Sequence, residues 1–376
     1  LLCGFSLILK KSIMSKKIAL FFLGDFRFDA RCCNMIDTLV KNNHVDVYHQ
    51  HDASFPILNN KKNLKITNIP VVQRKWIKYL SWFWGISKVC IQKYDKIIAS
   101  DLYSLYPLSF NKNSQKIIYD SRELYTELAI HKKNNFKNYI LSFMENSSLA
   151  KTSHIITTAD SDQNFLKNKY AYYNHIQYYT IYNYPHDYKW SKNDFLRKKF
   201  NISNDCKILL YQGVIQKNRG IKHFINIIQK SNKINGVIIG YGEHKDYFLD
   251  IINKKSLEQK IFILNKVPYN SLLEITASAD IGYALIPPAG ISNQFALPNK
   301  LFEYAAARLP TLSSKLPNLE KAIKNYNLGK CFRYDDLKGH IKFILNADKK
   351  KFFAKQSSSL KWAYQEKKFK GIIVDE

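Results

Sequence analysis

Short apolar runs alternate with amphipathic stretches of helical length along nearly the whole chain. IALFFL (18–23), VDVYH (45–49), KIIAS (96–100), KIIYD (116–120) and HIITT (154–158) predict buried strands. Helical spacing falls between them at 28–42, 123–132 and 135–151. The pattern pauses at NYPHDYKWSKND (183–194), where Pro, Asn and charged residues predict a linker. It restarts with KILLYQG (207–213), GVIIG (236–240), KIFIL (260–264), DIGYAL (280–285) and PTLSS (310–314). This grammar predicts an α/β fold of two Rossmann-like domains facing a cleft. The expected boundaries are 14–185 for the N-terminal domain and 186–348 for the C-terminal one, with the helix of 349–376 packing back on the N-terminal domain.

Composition narrows the classes. A chain of 376 residues suits about two or three domains. At 46% hydrophobic and 14% aromatic, neither a disordered chain nor a disulfide miniprotein fits. The net charge of +28 favours anionic partners, although tracts such as KKNNFKN and NNKKNLK carry part of it as coding bias. The six cysteines form no CxxC and no His-linked metal spacing, so scattered thiols in a reducing cytoplasm are expected and no metal site is. No run reaches the roughly 18 apolar residues that a membrane span needs. Residues 1–13 have a signal-like apolar core without a basic start or cleavage site, and are expected to be upstream read-through.

Motifs exclude several chemistries. No GxGxxG follows Gly24, and GxxxxGK[ST], GxSxG and HExxH are all absent, which disfavours dehydrogenases, P-loop nucleotidases, serine hydrolases and zincins. Asp160-Ser161-Asp162 imitates a metal-binding DxD, but its place after a strand predicts a helix N-cap at Asp160. Gly213 ends a strand and Arg219-Gly220 opens a helix. A glycine there admits a ligand to the backbone, and a helix start beside Arg offers amides, dipole and charge to a phosphate. A plain turn with a solvated Arg is the alternative. Gly240 and Gly242 repeat the arrangement one unit later. After the 280–285 strand, a Pro/Gly loop leads to a helix starting near Pro298, with Glu303 one turn inside it. A carboxylate so placed can accept hydrogen bonds from a sugar diol.

PNKLFEYAAARLP, paired with YQGVIQKNRG, resembles the nucleotide-sugar domain of GT-B-fold glycosyltransferases, and among them the retaining glycosyltransferase family 4 group. GDFRFDAR, IIASDL and IIYDSRELYTE resemble the N-terminal segments of that group more loosely. The resemblance implies that Glu303 binds the donor ribose, that Arg219 neutralises the diphosphate, and that these two carry catalysis. Gly213, Gly240 and Gly242 fall on the donor side, and Asp25, Arg27, Asp101, Arg122 and Glu123 on the acceptor side. The pattern departs at Phe295, where a first Glu is expected, and at Val214, where an Arg is usual; Asn299, Lys300 or Asn293 are candidate substitutes. The implied reaction is metal-free, cofactor-free, retaining hexosyl transfer from a nucleotide sugar to a lipid-linked or polysaccharide acceptor in bacterial cell-surface glycan synthesis. The alternatives are another GT-B enzyme such as a nucleotide-sugar epimerase, or a basic nucleic-acid-binding protein. The spread of basic residues over both halves argues against a specific nucleic-acid partner.

Residues 74–93 predict a helix with a narrow polar stripe of Arg74, Lys78, Ser81, Gly85, Lys88 and Gln92. Aromatic and aliphatic residues cover the rest, including Trp76, Trp82 and Trp84. Such a helix is buried on several sides, docks a protein partner, or lies in a membrane interface. The expectation carried forward is a peripheral seat on an anionic membrane, at the cytoplasmic inner face of the plasma membrane.

Overall fold

The structure is a computed structural model that describes residues 15–51, 61–111, 117–127, 135–189, 191, 193–288, 290–353 and 358–374. Its first sheet is seven-stranded and wholly parallel, in the order β3-β2-β1-β4-β5-β6-β7. The strands are β1 (Lys17–Phe22), β2 (His44–His49), β3 (Leu64–Asn68), β4 (Lys96–Ala99), β5 (Ile117–Ser121), β6 (Thr152–Thr157) and β7 (Gln177–Thr180). Around it lie α1 (Ala30–Leu39), α2 (Lys75–Ser87), α3 (Leu102–Leu108), α4 (Asn135–Leu149) and α5 (Asp160–Lys169).

The second sheet is six-stranded and parallel, in the order β10-β9-β8-β11-β12-β13. Its strands are β8 (Lys207–Gln212), β9 (Ile234–Ile239), β10 (Ile261–Leu264), β11 (Ile281–Ala284), β12 (Thr311–Ser314) and β13 (Gly329–Phe332). The helices here are α6 (Phe195–Phe200), α7 (Ile221–Gln229), α8 (Lys245–Lys254), α9 (Tyr269–Ala277), α10 (Gly290–Gln294), α11 (Asn299–Ala306), α12 (Pro317–Tyr326) and α13 (Leu337–Asn346). The last helix, α14 (Trp362–Val374), returns to the first domain, where Trp362, Phe369, Ile372 and Ile373 join the core beside α1. This is the expected α/β architecture of two Rossmann-like domains.

Apolar burial explains which runs became strands. The central strands β1, β4 and β5 are buried on both faces, with one apolar cluster beneath α2 to α5 and another beneath α1 and α14. Helix ends follow local chemistry. The Asp29 carboxylate accepts from the Cys32 N–H at 2.7 Å to start α1, and Asp101 does the same for Ser104 at 2.7 Å in α3. Pro317 opens α12 and Asn327, left-handed at φ 51°, closes it.

Some expectations shift. Ala159, not Asp160, is the N-cap of α5; Asp160 is its first helical residue and accepts from the Tyr182 hydroxyl at 2.6 Å. The 74–93 helix stops at Ser87. The tail helix begins only at Trp362, after a single turn at Lys349–Lys351. Of the helix expected at 123–132, residues Tyr125–Glu127 form one 3-10 turn and 128–132 lie outside the described residues, as do residues 1–13.

In both sheets the order reverses beside the first strand of the domain, between β1 and β4 and between β8 and β11. Ligands of doubly wound sheets sit outside the carboxyl ends of strands at such a reversal. Here the two reversals border one cleft, and residues from both domains line a cavity of about 570 Å³ within it.

Candidate active site

The C-terminal wall of the cleft is built on the ends of β8, β9 and β11 and the start of α11. At Gly213 the backbone turns with φ 130°, a left-handed value that favours glycine. Glycine is also needed at Gly240, where a Cβ would lie 1.9 Å from the Gly213 carbonyl oxygen. The two loops therefore pack backbone to backbone at the cavity edge. Gly220, at φ 80°, caps α7 and leaves Arg219 just ahead of the helix start.

Pro298 and α11 bring Asn299, Lys300 and Glu303 into the same wall. Glu303 is 7% exposed, and its Oε2 accepts from Gln212 Nε2. Gln212 is in turn held by Thr276, whose hydroxyl donates to its Oε1 at 2.9 Å, and its backbone N–H donates to the Tyr304 hydroxyl at 3.2 Å. Burial lifts the Glu303 carboxyl to about 7, against the pull of Gln212 and Lys300. Lys300 lies over the Tyr211 ring at 3.8 Å. Burial, and then the Arg219 charge, hold its ammonium down to about 7. A half-buried base and a buried acid are thus both close to losing their charge, a state that an incoming charged ligand reverses.

The N-terminal wall differs. Arg31 is buried and forks onto Asp120 through Nε at 2.8 Å and Nη2 at 2.6 Å, while Nη1 reaches the Ile181 carbonyl and Asn183 Oδ1, both at 2.6 Å. Arg122 bridges Asp120 at 3.2 Å and Asp29 at 2.7 Å, and lies over the Phe22 ring. Asp101 has both oxygens occupied, by the amides of Leu23 at 2.8 Å and Ser104 at 2.7 Å. Contacts that cross the cleft include Glu123 paired with Arg219 at 3.7 Å and Asn183 donating to Asn299 at 2.6 Å. No histidine is among the described residues lining the 570 Å³ cavity.

Of the residues singled out from the sequence, Gly213, Arg219, Gly240, Asn299, Lys300 and Glu303 share one wall, and Asp101, Arg122 and Glu123 the other. Three do not reach it. Asp25 and Arg27 pair with each other at 2.5 Å beside buried His49, because a 3-10 turn at Phe26–Phe28 sends Asp29, Ala30 and Arg31 to the cavity instead. Gly242 packs on the Ile215 carbonyl, where a Cβ would come within 2.2 Å.

Residues 192–358 match the family described as glycosyl transferases group 1. The matched segment takes in most of the C-terminal domain. A stretch of 143 residues is 26% identical to an uncharacterized glycosyltransferase of Methanocaldococcus jannaschii, covering 36% of this chain and about a third, 34%, of that protein's length. Among solved structures, Anabaena HepE in complex with UDP-glucose superposes with a TM-score of 0.73 at 13% identity, over 96% of this chain and 100% of that one. Sucrose-phosphate synthase from Thermosynechococcus elongatus gives 0.72 at 12% identity, over 95% and 98%. WaaG, a glycosyltransferase involved in lipopolysaccharide biosynthesis, gives 0.64 at 15%, over 96% and 95%. At such identities the likeness is one of fold: the two parallel sheets take the GT-B architecture that the resemblance implied.

Beside the residues anticipated in the C-terminal domain, Gln212 carried no motif, although it is the polar residue that closes the strand KILLYQ after the apolar run ILLY. Lys266, over the rings of Phe28 at 4.2 Å and Tyr241 at 4.9 Å, spans the cleft without any motif to mark it. Phe295 stands where the resemblance led to a Glu being expected; it lines a second cavity of about 760 Å³ and packs on the N-terminal core. Asn293 lines that cavity too, with its amide donating to the Pro287 carbonyl at 3.0 Å. The two cavities share Tyr79, Tyr103, Arg122, Glu123, Arg219 and Asn299 and so form one continuous cleft.

Proposed function

We propose that this protein transfers a hexose from a nucleotide-sugar donor, with retention of configuration and without a metal, to a lipid-linked or polysaccharide acceptor in bacterial cell-surface glycan synthesis. The observation that carries it is the gathering of Glu303, Lys300 and Arg219 around the strand-end Gly213 in an interdomain cleft. That HepE and this chain share a fold, and that HepE was solved with UDP-glucose, supports a nucleoside-diphosphate sugar as donor. Glu303 accepts from the ribose hydroxyls, and Gly213 and Gly240 let the diphosphate approach the backbone.

Arg219, Lys300 and the start of α7 meet the charge that grows on the diphosphate as the bond from the anomeric carbon to the diphosphate oxygen breaks. The acceptor oxygen bonds to the same carbon, and its proton passes to the leaving phosphate. Retention, family 4 membership and the phosphate as base rest on the resemblance of PNKLFEYAAARLP and YQGVIQKNRG. Incubation with a panel of nucleotide sugars and acceptors, read by mass spectrometry with and without a chelator, tests this. A glycosylated product that persists under chelation is expected; no product with any donor overturns it.

A seat at the cytoplasmic face of the plasma membrane is supported by apolar side chains left in solvent. Trp76, Leu80 and Trp84 on α2 and Phe136, Tyr139 and Phe143 on α4 are all exposed. Packing through α3 sets the two helices side by side, and Lys137 lies over the Trp76 ring. Among the described residues no helix is long and apolar enough to cross a membrane. Binding from one side combines apolar insertion with attraction to anionic headgroups. The protein is expected to float with anionic vesicles, less so at high salt, and less as the double variant Arg74→Glu, Lys88→Glu. Recovery in the soluble fraction with every vesicle would refute it.

A further inference from the structure

Helix α2 has two opposite faces and an edge between them. Outward are Trp76, Leu80 and Trp84. Inward, Trp82 and Ile86 are fully buried, and Trp82 Nε1 donates to Ser104 Oγ at 3.2 Å. The edge carries Lys78 and Tyr79, which line the 570 Å³ cavity on its N-terminal wall. Tyr79 stands 4.4 Å from the Tyr103 ring, and Tyr103 meets Tyr125 edge-on at 5.9 Å, so an aromatic shelf runs beside the lysine.

Lys78 is unlike every other cation in that lining. Arg31 and Arg122 are tied to Asp120 and Asp29, Arg219 to Glu123, and Lys266 and Lys300 lie over aromatic rings. Among the described residues no hydrogen bond, ion pair or ring holds the Lys78 ammonium. The Asp101 carboxylate attracts it, but both Asp101 oxygens already accept from backbone amides. Burial of the ammonium holds its proton affinity below that of a free lysine. A partly desolvated cation without a partner is costly, and an anionic ligand group removes the cost.

We propose that Lys78 binds a phosphate group carried by the acceptor, with the adjoining sugar or isoprenoid against the Tyr79 and Tyr103 rings. This rests on the glycosyltransferase reading above. It adds that the acceptor is a phosphorylated molecule. The phosphate belongs either to a lipid carrier, entering along α2 from its apolar face, or to a water-soluble sugar phosphate.

The test uses the full chain saturated with nucleoside diphosphate, and calorimetry with farnesyl phosphate, farnesol, glucose 6-phosphate and glucose. Binding of a phosphorylated probe at least about tenfold tighter than its unphosphorylated twin is expected, with Lys78→Gln losing that margin and Lys78→Arg keeping most of it. Preference for farnesyl phosphate assigns the lipid source, and preference for glucose 6-phosphate the soluble one. Nucleoside-diphosphate affinity should stay unchanged in both variants, which also shows that they are folded. Equal binding of phosphorylated and plain probes, no binding of any probe, or an unaltered margin in Lys78→Gln overturns the proposal. Failure of the wild-type protein to bind any nucleoside diphosphate would instead strike the glycosyltransferase reading itself.

Discussion

The two walls of the cleft bury charge in opposite ways. On the N-terminal wall Arg31, Asp120, Arg122 and Asp29 form a closed net in which each guanidinium meets carboxylates at 2.6 to 3.2 Å. On the C-terminal wall Lys300 is half-buried and Glu303 buried, both titrate near 7, and among the described residues Gln212 is the one close polar partner of the acid. A saturated net is rigid and has little capacity left for a ligand. A pair short of partners is poised to bind one, because the ligand supplies what the fold withholds. The N-terminal wall therefore reads as scaffold with one opening, at Lys78, and the C-terminal wall as the binding surface.

The largest effect should come from breaking the net. Asp120→Ala leaves the Arg31 guanidinium buried and unpaired, which costs about 3–5 kcal/mol of stability. Urea or thermal denaturation should show that loss, while Glu303→Gln, whose charge the fold already disfavours, should unfold close to wild type. Equal losses in the two variants would erase the contrast between the walls. The ranking should invert for the ligand. Glu303→Gln should weaken nucleoside-diphosphate binding by about 1.5–3 kcal/mol, the range for a hydrogen bond to a charged group. Unchanged affinity by calorimetry would remove Glu303 from the site.

The contrast also explains what could be read from sequence. The binding wall is written in local signals: a glycine ending an apolar strand, an arginine before a helix, and Pro298 opening a helix that carries Glu303. The net is not local. Arg31 and Asp120 lie 89 residues apart, and the turn that brings Asp29 and Arg31 to the cavity keeps Asp25 and Arg27 away from it, a change of direction that no local pattern records. Strands divide in the same manner. The strands beside each reversal, such as β1 (KIALFF) and β4 (KIIA), carry apolar runs, but β3 (LKITN), β7 (QYYT) and β13 (GKCF) sit at sheet edges, half solvated, and lack that signature. Lys78 belongs to a polar stripe whose ends, Arg74 and Lys88, are exposed, but at its middle Gly85 packs on Ile69 and Lys78 lines the cavity, while Trp76, Leu80 and Trp84 stay outside.

Arg219 connects the two walls, so its replacement should be felt in rate more than in affinity. It is 45% exposed and paired at 3.7 Å with Glu123, a weak contact that a diphosphate can displace. Arg219→Ala should lower turnover about tenfold, equivalent to roughly 1.4 kcal/mol in the barrier, with a smaller change in donor KM. Normal turnover at saturating donor would leave leaving-group stabilisation to Lys300 and the helix start alone.

The smallest effect is a proton count, and it tests the poised pair directly. In the free protein Glu303 titrates near 7, above its ordinary 4.5, so its favourable contribution is full below 4.5 and lost as pH rises through 7. Lys300 titrates near 7, below its ordinary 10.5, so its contribution is full above 10.5 and lost as pH falls toward 7. Both losses coincide near neutrality, where the empty site should be least stable and nucleoside diphosphate should raise the melting temperature most. Binding favours the charged form of each group, since the ribose hydroxyls donate to a carboxylate and the diphosphate attracts an ammonium. At pH 6 Glu303 is mostly protonated and Lys300 charged, so binding should release a fraction of a proton. At pH 8.5 Glu303 is ionised and Lys300 mostly neutral, so binding should take one up. Calorimetry in buffers of different ionisation enthalpy reads that sign, and Glu303→Gln should abolish the release at pH 6 while sparing the uptake at pH 8.5. Absence of uptake at pH 8.5 would mean that Lys300 stays neutral beside the diphosphate, and the contrast between a saturated wall and a poised one would then rest on Glu303 alone.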